Sequence, residues 1–158
     1  MIFEFDYVEP KSLEEAAATL GKHAPRAKIY AGGTDQIVDA RFKGQRPFLL
    51  VSINKIGGLA YVKEEGSVVK IGSLTNLDAL QKSTLLSQEF PSIIDATLKF
   101  ASPQIRNRAT LGGNICHSTP SADTAPPLLA LDASARIVSS KGERTINLNE
   151  FFTGPGKN

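Results

Sequence analysis

The sequence predicts an α+β fold in two subdomains, and three observations lead to this prediction. Residues 1–56 follow a strand–helix–strand–helix–strand order, which is typical of a small parallel βαβ-type unit. Residues 57–158 contain two hairpin patterns separated by helices, which indicates a mixed or antiparallel second subdomain. Each subdomain also contains one pair of adjacent glycines, in "YAGGTD" and in "TLGGN". We therefore place the boundary between residues 56 and 57.

The chain begins with a predicted strand and a predicted helix. Residues 1–8, "MIFEFDYV", alternate apolar and acidic side chains, which favours a short strand. In "SLEEAAATL", Ser12 and Glu15 have the spacing of a capping box. An alanine-rich run follows, so we expect a helix that ends near Gly21.

Two further strands and a second helix complete the first subdomain. "AKIYA" predicts a strand that the glycine pair ends, and "PFLLVSI" predicts a third strand buried on both faces. Between them, Thr34 or Asp35 is expected to cap a helix that extends to about Phe42. That helix has Ile37, Val38 and Phe42 on one face.

The second subdomain begins with a hairpin, "LAYVKEEGSVVKIGS", which turns around Glu65-Gly66. Thr75 with Asp78 predicts a capped helix over "NLDALQKS". "PSIIDATLKFA" predicts an amphipathic helix with Pro91 in its first turn. "APPLLALDA" predicts another helix, and "ARIVSSKGERTINL" predicts the second hairpin.

Composition excludes several classes of protein. The 158 residues are 41% hydrophobic and 22% charged, which is typical of a globular domain with a real core. A net charge of +2 gives no reason to expect nucleic acid or an anionic membrane. The single cysteine, Cys116, excludes an internal disulfide and a cysteine-ligated iron–sulfur cluster. We expect a cytoplasmic protein without a signal peptide or a membrane span. Because turn residues at Gly154-Pro155-Gly156 precede the last residues, we also expect a truncated segment.

The first glycine pair lies where a strand ends and a helix begins. Backbone N–H groups at such a junction suit phosphate, but a tight turn with Thr34 as an ordinary cap fits equally well. The pattern G-x-G-x-x-G fails because "AGGTDQ" lacks the third glycine, and no P-loop pattern occurs. A Rossmann dinucleotide fold and a P-loop NTPase are therefore not supported.

The second glycine pair is followed by small and polar residues. A plain turn explains Gly112-Gly113-Asn114, since asparagine tolerates left-handed backbone conformations. Asp123 is either an acceptor for ribose hydroxyls or the N-cap of a helix starting at Thr124, and its spacing favours the cap.

Other candidate residues have ordinary structural interpretations. Cys116 and His117 are neighbours whose side chains point to opposite faces of an extended segment, so we predict no catalytic pair and no metal site. We expect Cys116 to be a small buried thiol. Phe100 could stack on a base, but a core position is the default. Arg106 and Arg108 could steer an anion, although a solvated surface is the commoner outcome.

Three segments resemble a known family. "IYAGGTD", "FASPQIRNRATLGGNICHSTPSADTAPPLLALDA" and "FFTGPGK" are similar to the FAD-binding, or medium, subunit of molybdenum hydroxylases, the family of xanthine dehydrogenase and carbon monoxide dehydrogenase. The likeness extends along the whole chain. It implies a two-lobed FAD-binding domain that holds FAD in an extended pose in a cleft between the lobes. Family members continue beyond "FFTGPGK", so the chain resembles an N-terminal portion.

The resemblance also implies a set of cofactor-binding residues. In the first loop these are Ile29, Tyr30, Ala31, Gly32, Gly33, Thr34 and Asp35; in the second they are Thr110, Leu111, Gly112, Gly113 and Asn114. Asp123 matches an acid that contacts a sugar hydroxyl, and Phe100 matches an aromatic side chain beside the adenine. These matches reverse the preference for a cap at Asp123 and for a core role of Phe100.

The function that the resemblance implies is electron transfer. Electrons would pass from a molybdenum centre through iron–sulfur clusters and FAD to NAD or another acceptor. The expected partners are a molybdenum-cofactor subunit and a 2Fe-2S subunit, and no catalytic residue is expected in this chain. The alternative is a truncated, flavin-free module with only a structural or subunit-binding role.

Overall fold

The structure, a computed structural model, describes residues 4–44 and 47–158, and it confirms the predicted α+β class. The described residues form two compact units. The first comprises the chain up to Gly57 together with Arg136–Arg144. The second comprises Gly58–Ala135 and Thr145–Asn158.

A parallel three-stranded sheet lies at the centre of the first unit. Its elements are β1 (Asp6–Val8), α1 (Leu13–His23), β2 (Ala27–Tyr30), α2 (Gln36–Phe42) and β3 (Leu49–Ser52). The order is β1-β3-β2, and Leu49 lies opposite both Asp6 and Ala27. All of β3 is buried, as its apolar run predicts for a central parallel strand. The predicted first strand includes residues 1–3, which lie outside the described residues.

The capping box predicted for the first helix is present, with one difference. The Ser12 hydroxyl accepts a hydrogen bond from the Glu15 N–H at 3.1 Å, while the Glu15 carboxylate accepts one from the Lys11 N–H at 2.8 Å. The helix was expected to end near Gly21, and α1 ends two residues later, at His23. A glycine costs an exposed helix only about 1 kcal/mol, which is too little to end it.

The apolar side of α2 does not face the core of its unit. Ile37, Val38 and Phe42 are exposed, whereas Asp39 and Ala40 are buried. The predicted helix is confirmed, but its apolar pattern did not identify the side that packs. A periodic pattern indicates a helix and does not say which neighbour covers it.

The elements after Gly58 alternate hairpins with short helices. They are β4 (Val62–Glu65), β5 (Val68–Ile71), α3 (Leu77–Gln81), α4 (Thr84–Glu89), α5 (Pro91–Leu98), α6 (Pro103–Arg106), α7 (Leu111–His117), α8 (Ala125–Ala130), β6 (Ser134–Ser139), β7 (Gly142–Asn147) and α9 (Leu148–Phe151). Both predicted hairpins are confirmed, since β4 pairs with β5 and β6 pairs with β7. Gly66 has φ 64° in the first turn, where glycine adopts a left-handed conformation without strain.

The second unit packs its helices around α5, which contacts α3, α4 and α8. The residues buried there include Leu77, Leu80, Leu86 and Ile93. Four short helices, α4, α6, α7 and α9, were not predicted from the sequence.

The cap predicted for α3 is one residue away from the observed one. The Asn76 side chain accepts a hydrogen bond from the Ala79 N–H at 2.7 Å. Thr75, the predicted cap, instead exchanges hydrogen bonds with the backbone N–H and carbonyl of Tyr61, each at 2.9 Å. Its hydroxyl is therefore used between segments rather than at the helix end.

Candidate functional site

The first glycine loop follows β2 and is held at its base by backbone and side-chain hydrogen bonds. The Ile53 N–H donates to the Tyr30 carbonyl at 3.1 Å, and the Asn54 side-chain amide donates to the Ala31 carbonyl at 3.1 Å. Gly33 has φ 73°, and a Cβ added to it would lie 2.5 Å from the Tyr30 ring. The positive φ favours glycine at this position, and a Cβ would in addition require the Tyr30 ring to move.

Three successive backbone N–H groups in this loop are unused. Those of Gly32, Gly33 and Thr34 make no hydrogen bond to the described residues. Consecutive N–H groups of this kind form a concave donor surface for anions such as phosphate. Asp35 follows as the N-cap residue of α2, but its side chain makes no capping hydrogen bond. The loop therefore offers donors that no described residue uses.

The side chains that precede the loop differ in their surroundings. Ile29 is exposed, at 51% of its full accessible area. Tyr30 is half-buried, and its ring lies edge-on to Tyr7 with the ring centres 6.2 Å apart. Ile29 is thus free to contact a ligand, whereas part of the Tyr30 ring already packs within its own unit.

The second glycine segment is a helix, so the predicted plain turn is wrong. Thr110 is the N-cap of α7, and its hydroxyl accepts a hydrogen bond from the Gly113 N–H at 3.1 Å. The Asn114 N–H donates to the Thr110 carbonyl at 2.9 Å. Glycine disfavours a helix, and the hydrogen bond to the Thr110 side chain offsets part of that cost.

Close packing explains the first glycine of this pair. The N–H groups of Leu111 and Gly112 donate to the carbonyls of Thr75 and Ser73, each at 2.9 Å. A Cβ on Gly112 would lie 2.8 Å from both the Cβ and the carbonyl oxygen of Ser73. Unlike the first loop, this segment uses its amides internally.

Asn114 connects α7 to the start of α8. It is buried, and its side-chain oxygen accepts a hydrogen bond of 2.6 Å from the hydroxyl of Thr124, which is also buried. Sequence reasoning missed Thr124. An asparagine and a threonine ten residues apart carry no local signal of this contact.

Asp123 is not the helix cap, so that interpretation is wrong. The N-cap of α8 is Thr124, and prolines occupy its first turn. The side chain of Asp123 is exposed, and its carboxylate has no partner among the described residues. Its backbone N–H donates to the Ser121 carbonyl at 3.0 Å. The carboxylate is therefore available to accept hydrogen bonds from a ligand.

Phe100 follows the end of α5 and is half-buried. Its ring makes no aromatic contact with the described residues. One nitrogen of the Arg106 guanidinium, Nη1, donates to the Phe100 carbonyl at 2.7 Å and to the Ala101 carbonyl at 3.2 Å. Arg108, by contrast, is exposed.

Cys116 and His117 lie in α7, so the expectation of an extended segment is wrong. Cys116 as a residue is exposed, whereas the sequence predicted a small buried thiol. Desolvation of the sulfur nevertheless raises the pKa of the Cys116 thiol, which keeps it protonated at neutral pH. This opposes a role as nucleophile.

Residues 4–44 and 47–158 contain neither a membrane-spanning helix nor a cluster of metal ligands. No helix there has the length and apolar character needed to cross a membrane. No group of three or more His, Cys, Asp or Glu side chains in those ranges could hold a metal ion.

Comparison with known proteins identifies the family. A family model described as the FAD binding domain in molybdopterin dehydrogenase matches residues 3–158. The chain belongs to this family. The predicted resemblance and the predicted cofactor, FAD, are thereby confirmed at the level of the family.

Individual relatives of this FAD-binding domain agree. The chain is 41% identical over 148 residues to the alpha subunit of the 6-hydroxypseudooxynicotine dehydrogenase complex of Paenarthrobacter nicotinovorans, covering 94% of this chain and 50% of that protein. It is 38% identical over 159 residues to the xanthine dehydrogenase FAD-binding subunit of Escherichia coli O157:H7, covering 99% and 54%. The chain thus spans about half the length of these relatives.

A solved structure of carbon monoxide dehydrogenase from Hydrogenophaga pseudoflava matches with a TM-score of 0.96 and 35% identity. The match covers 100% of this chain and 55% of that one. The groups present in the FAD-binding domain fit FAD chemically. Within the described ranges, the N–H groups of Gly32–Thr34 and the Asp123 carboxylate have no partner; the N–H groups suit a diphosphate and the carboxylate suits a sugar hydroxyl.

Proposed function

We propose that the chain is the FAD-binding part of an electron-transfer subunit in a molybdenum hydroxylase. The family match supports this proposal, and one structural observation indicates which backbone atoms would bind the cofactor. The N–H groups of Gly32, Gly33 and Thr34 are unused within the described chain and lie where β2 passes into α2. They are suited to the negatively charged diphosphate that joins the two halves of FAD.

The remaining proposed contacts divide between polar and apolar groups. The Asp123 carboxylate accepts a hydrogen bond from a sugar hydroxyl, and Phe100 contacts the adenine. The backbone of Thr110–Asn114 can lie close to the cofactor, because Gly113 is exposed and has no side chain. Bound FAD supplies reversible electron transfer, and the protein supplies binding and orientation. No acid–base residue of this chain is needed for that role.

The finer parts of the function are also proposals. We expect electrons to reach the chain from iron–sulfur clusters and to leave toward NAD or another acceptor. We expect a molybdenum-cofactor subunit and a 2Fe-2S subunit as partners. The similar protein of Paenarthrobacter nicotinovorans is a subunit of a dehydrogenase complex, which supports an assembly of several chains. The cytoplasmic location stays a prediction.

Purification of the protein with its accompanying subunits tests the proposal. We expect a yellow preparation with a flavin absorbance spectrum, and a molybdenum-containing chain that co-purifies. Flavin should be removable and FAD should rebind in a fluorescence titration. A colourless preparation that takes up no FAD but binds a partner subunit would favour the flavin-free module.

A further inference from the structure

We infer that Arg106 is a positioning residue for FAD, because its guanidinium fixes the turn that presents Phe100 to the adenine ring. This inference rests on the proposed function, in which Phe100 contacts the adenine. It assigns to Arg106 an indirect role, through the backbone of the turn, and no contact with the cofactor itself.

The turn lies between two helices of the second unit. After α5 ends at Leu98, the Phe100 N–H donates to the Thr97 carbonyl at 3.2 Å. Ala101 then adopts a left-handed conformation with φ 39°, and α6 begins at Pro103. A residue with a Cβ is strained in this conformation, so the turn needs other interactions to hold it.

Arg106 supplies those interactions. Its Nη1 donates to the Phe100 carbonyl at 2.7 Å and to the Ala101 carbonyl at 3.2 Å. Ala101 is the strained residue, and Phe100 carries the ring that is proposed to contact the adenine. Hydrogen bonds from a charged donor are stronger than neutral ones. The positive charge also lies beside carbonyls that follow the end of α5, where the helix dipole favours a cation.

Arg106 is poorly suited to a purely stabilising role. Its Nε is buried and has no hydrogen-bond partner among the described residues, which costs stability. The two carbonyl contacts are therefore its main favourable polar interactions. Because they act on the backbone of Phe100 and Ala101, losing them should alter the direction of the Phe100 ring before it alters the core.

Phe100 has the properties that such positioning requires. Its side chain is half-buried, and its ring has no aromatic partner in the part of the chain that the structure describes. The side chain is thus partly exposed and not stacked on another ring of the described chain, and a stack on a purine would need a defined ring orientation.

A double-mutant cycle on FAD affinity tests the inference. The complete protein, isolated with its subunits and freed of flavin, is titrated with FAD while fluorescence anisotropy is followed. We compare wild type, Phe100→Ala, Arg106→Gln and the double variant. Arg108→Gln is the matched control, because Arg108 is exposed and its side chain has no partner among the described residues.

We expect Phe100→Ala to weaken FAD binding about thirtyfold, within the range measured for base–aromatic stacking. Arg106→Gln should weaken it about tenfold, and the double variant should be no weaker than Phe100→Ala alone. Arg108→Gln should bind as wild type does. If Arg106→Gln fails to fold, Arg106→Lys takes its place in the cycle with a smaller expected loss, since lysine keeps the charge without the planar fork.

Additive losses in the double variant would overturn the positioning role, because two independent effects multiply. Wild-type affinity in Arg106→Gln, or equal losses in Arg106→Gln and Arg108→Gln, would also overturn it. If wild type itself binds no FAD, the proposed function fails and the inference fails with it. If wild type binds FAD and only the cycle fails, the proposed function stands alone.

Discussion

Asp123 is the residue whose substitution most directly tests the proposed site. Its carboxylate is exposed and unpartnered among the described residues, so the fold does not use it. Asp123→Ala should weaken FAD binding by at least about tenfold, since a hydrogen bond to a charged group is worth about 1.5–3 kcal/mol. A fluorescence titration with FAD measures this change.

The control for Asp123→Ala is Cys116→Ser, which should change FAD affinity much less. Because Thr124 and not Asp123 caps α8, the unfolding temperature of Asp123→Ala should stay close to that of wild type. Equal effects on FAD binding in the two variants would remove Asp123 from the site. A lower unfolding temperature with unchanged affinity would assign it a structural role.

The ion pair between Glu9 and Lys55 predicts a pH dependence. Their side chains lie 2.6 Å apart, and the hydrogen bond from Lys55 holds the pKa of Glu9 below its ordinary value of 4.5. The same contact with Glu9 raises the pKa of Lys55 above 10.5. The pair therefore stabilises the fold fully between these two values. Its contribution is lost as the pH falls through the lowered pKa of Glu9 or rises through the raised pKa of Lys55.

An NMR titration of the Glu9 carboxyl measures this effect. Lys55→Met should return the pKa of Glu9 toward 4.5, because the main cause of its shift is removed. Lys28→Met is the control, since Lys28 is exposed and makes no ion pair with the described residues. An unchanged pKa of Glu9 in Lys55→Met would show that the contact does not persist in solution.

At the scale of single elements, Gly112 allows α7 to lie close to the backbone of Ser73. A Cβ there would lie 2.8 Å from the backbone oxygen of Ser73, which cannot move without breaking its hydrogen bond to the Gly112 N–H. Gly112→Ala should therefore destabilise the protein by about 1–3 kcal/mol, as overpacking does. Denaturant unfolding measures the change.

Gly57→Ala is the matched control for Gly112→Ala. An added Cβ at Gly57 meets nothing within 4 Å, and its φ lies outside the left-handed region. We expect a change of no more than about 0.5 kcal/mol there. Comparable destabilisation by both substitutions would mean that the packing against Ser73 is not what requires the glycine.

The sequence predicts the elements that carry a clear local signal and misses several short helices that do not. The buried run "PFLLVSI" and the hairpin at Gly66 carry clear local signals, and both are confirmed. By contrast, α7 contains two glycines and depends on the Thr110 hydroxyl and on carbonyls of Ser73 and Thr75. Helices of this length are set by caps and tertiary contacts, which no local pattern records.

The same distinction holds for the candidate site. Sequence reasoning could point to Gly32-Gly33 because a strand-to-helix junction has a known donor geometry. It could not find the hydrogen bond from the Thr124 hydroxyl to the Asn114 side chain, or the one from the Arg106 guanidinium to the Phe100 carbonyl. Both contacts join residues that are several positions apart and depend on how short helices pack.

At the scale of the whole molecule, the grouping of distant segments is also absent from the local pattern. Arg136–Arg144 belongs to the first unit although it lies far along the chain. Within that unit, a Cβ added to Gly21 would lie 3.2 Å from the Ser140 hydroxyl. The sequence predicted this hairpin correctly, but hairpin signals do not say which part of the protein the turn contacts.

Amide hydrogen exchange across the whole chain gives the broadest test of FAD binding. The N–H groups of Gly32, Gly33 and Thr34 are unbonded in the structure, so they should exchange quickly without FAD and slowly with it. The N–H groups of Leu111–Asn114 already donate within the protein, so FAD should change them much less.

Binding also stabilises the folded state as a whole, by about 2.7 kcal/mol when free FAD is 100 times its Kd. Amides that exchange only through global unfolding should slow together by the factor that this stabilisation sets. The amides of Gly32–Thr34 have no hydrogen bond in the structure, so their exchange does not require global unfolding. Bound FAD should slow the exchange of these amides as well. If FAD slows the globally exchanging amides but leaves Gly32–Thr34 fast, the cofactor binds without these N–H groups, and the first glycine loop has only a structural role.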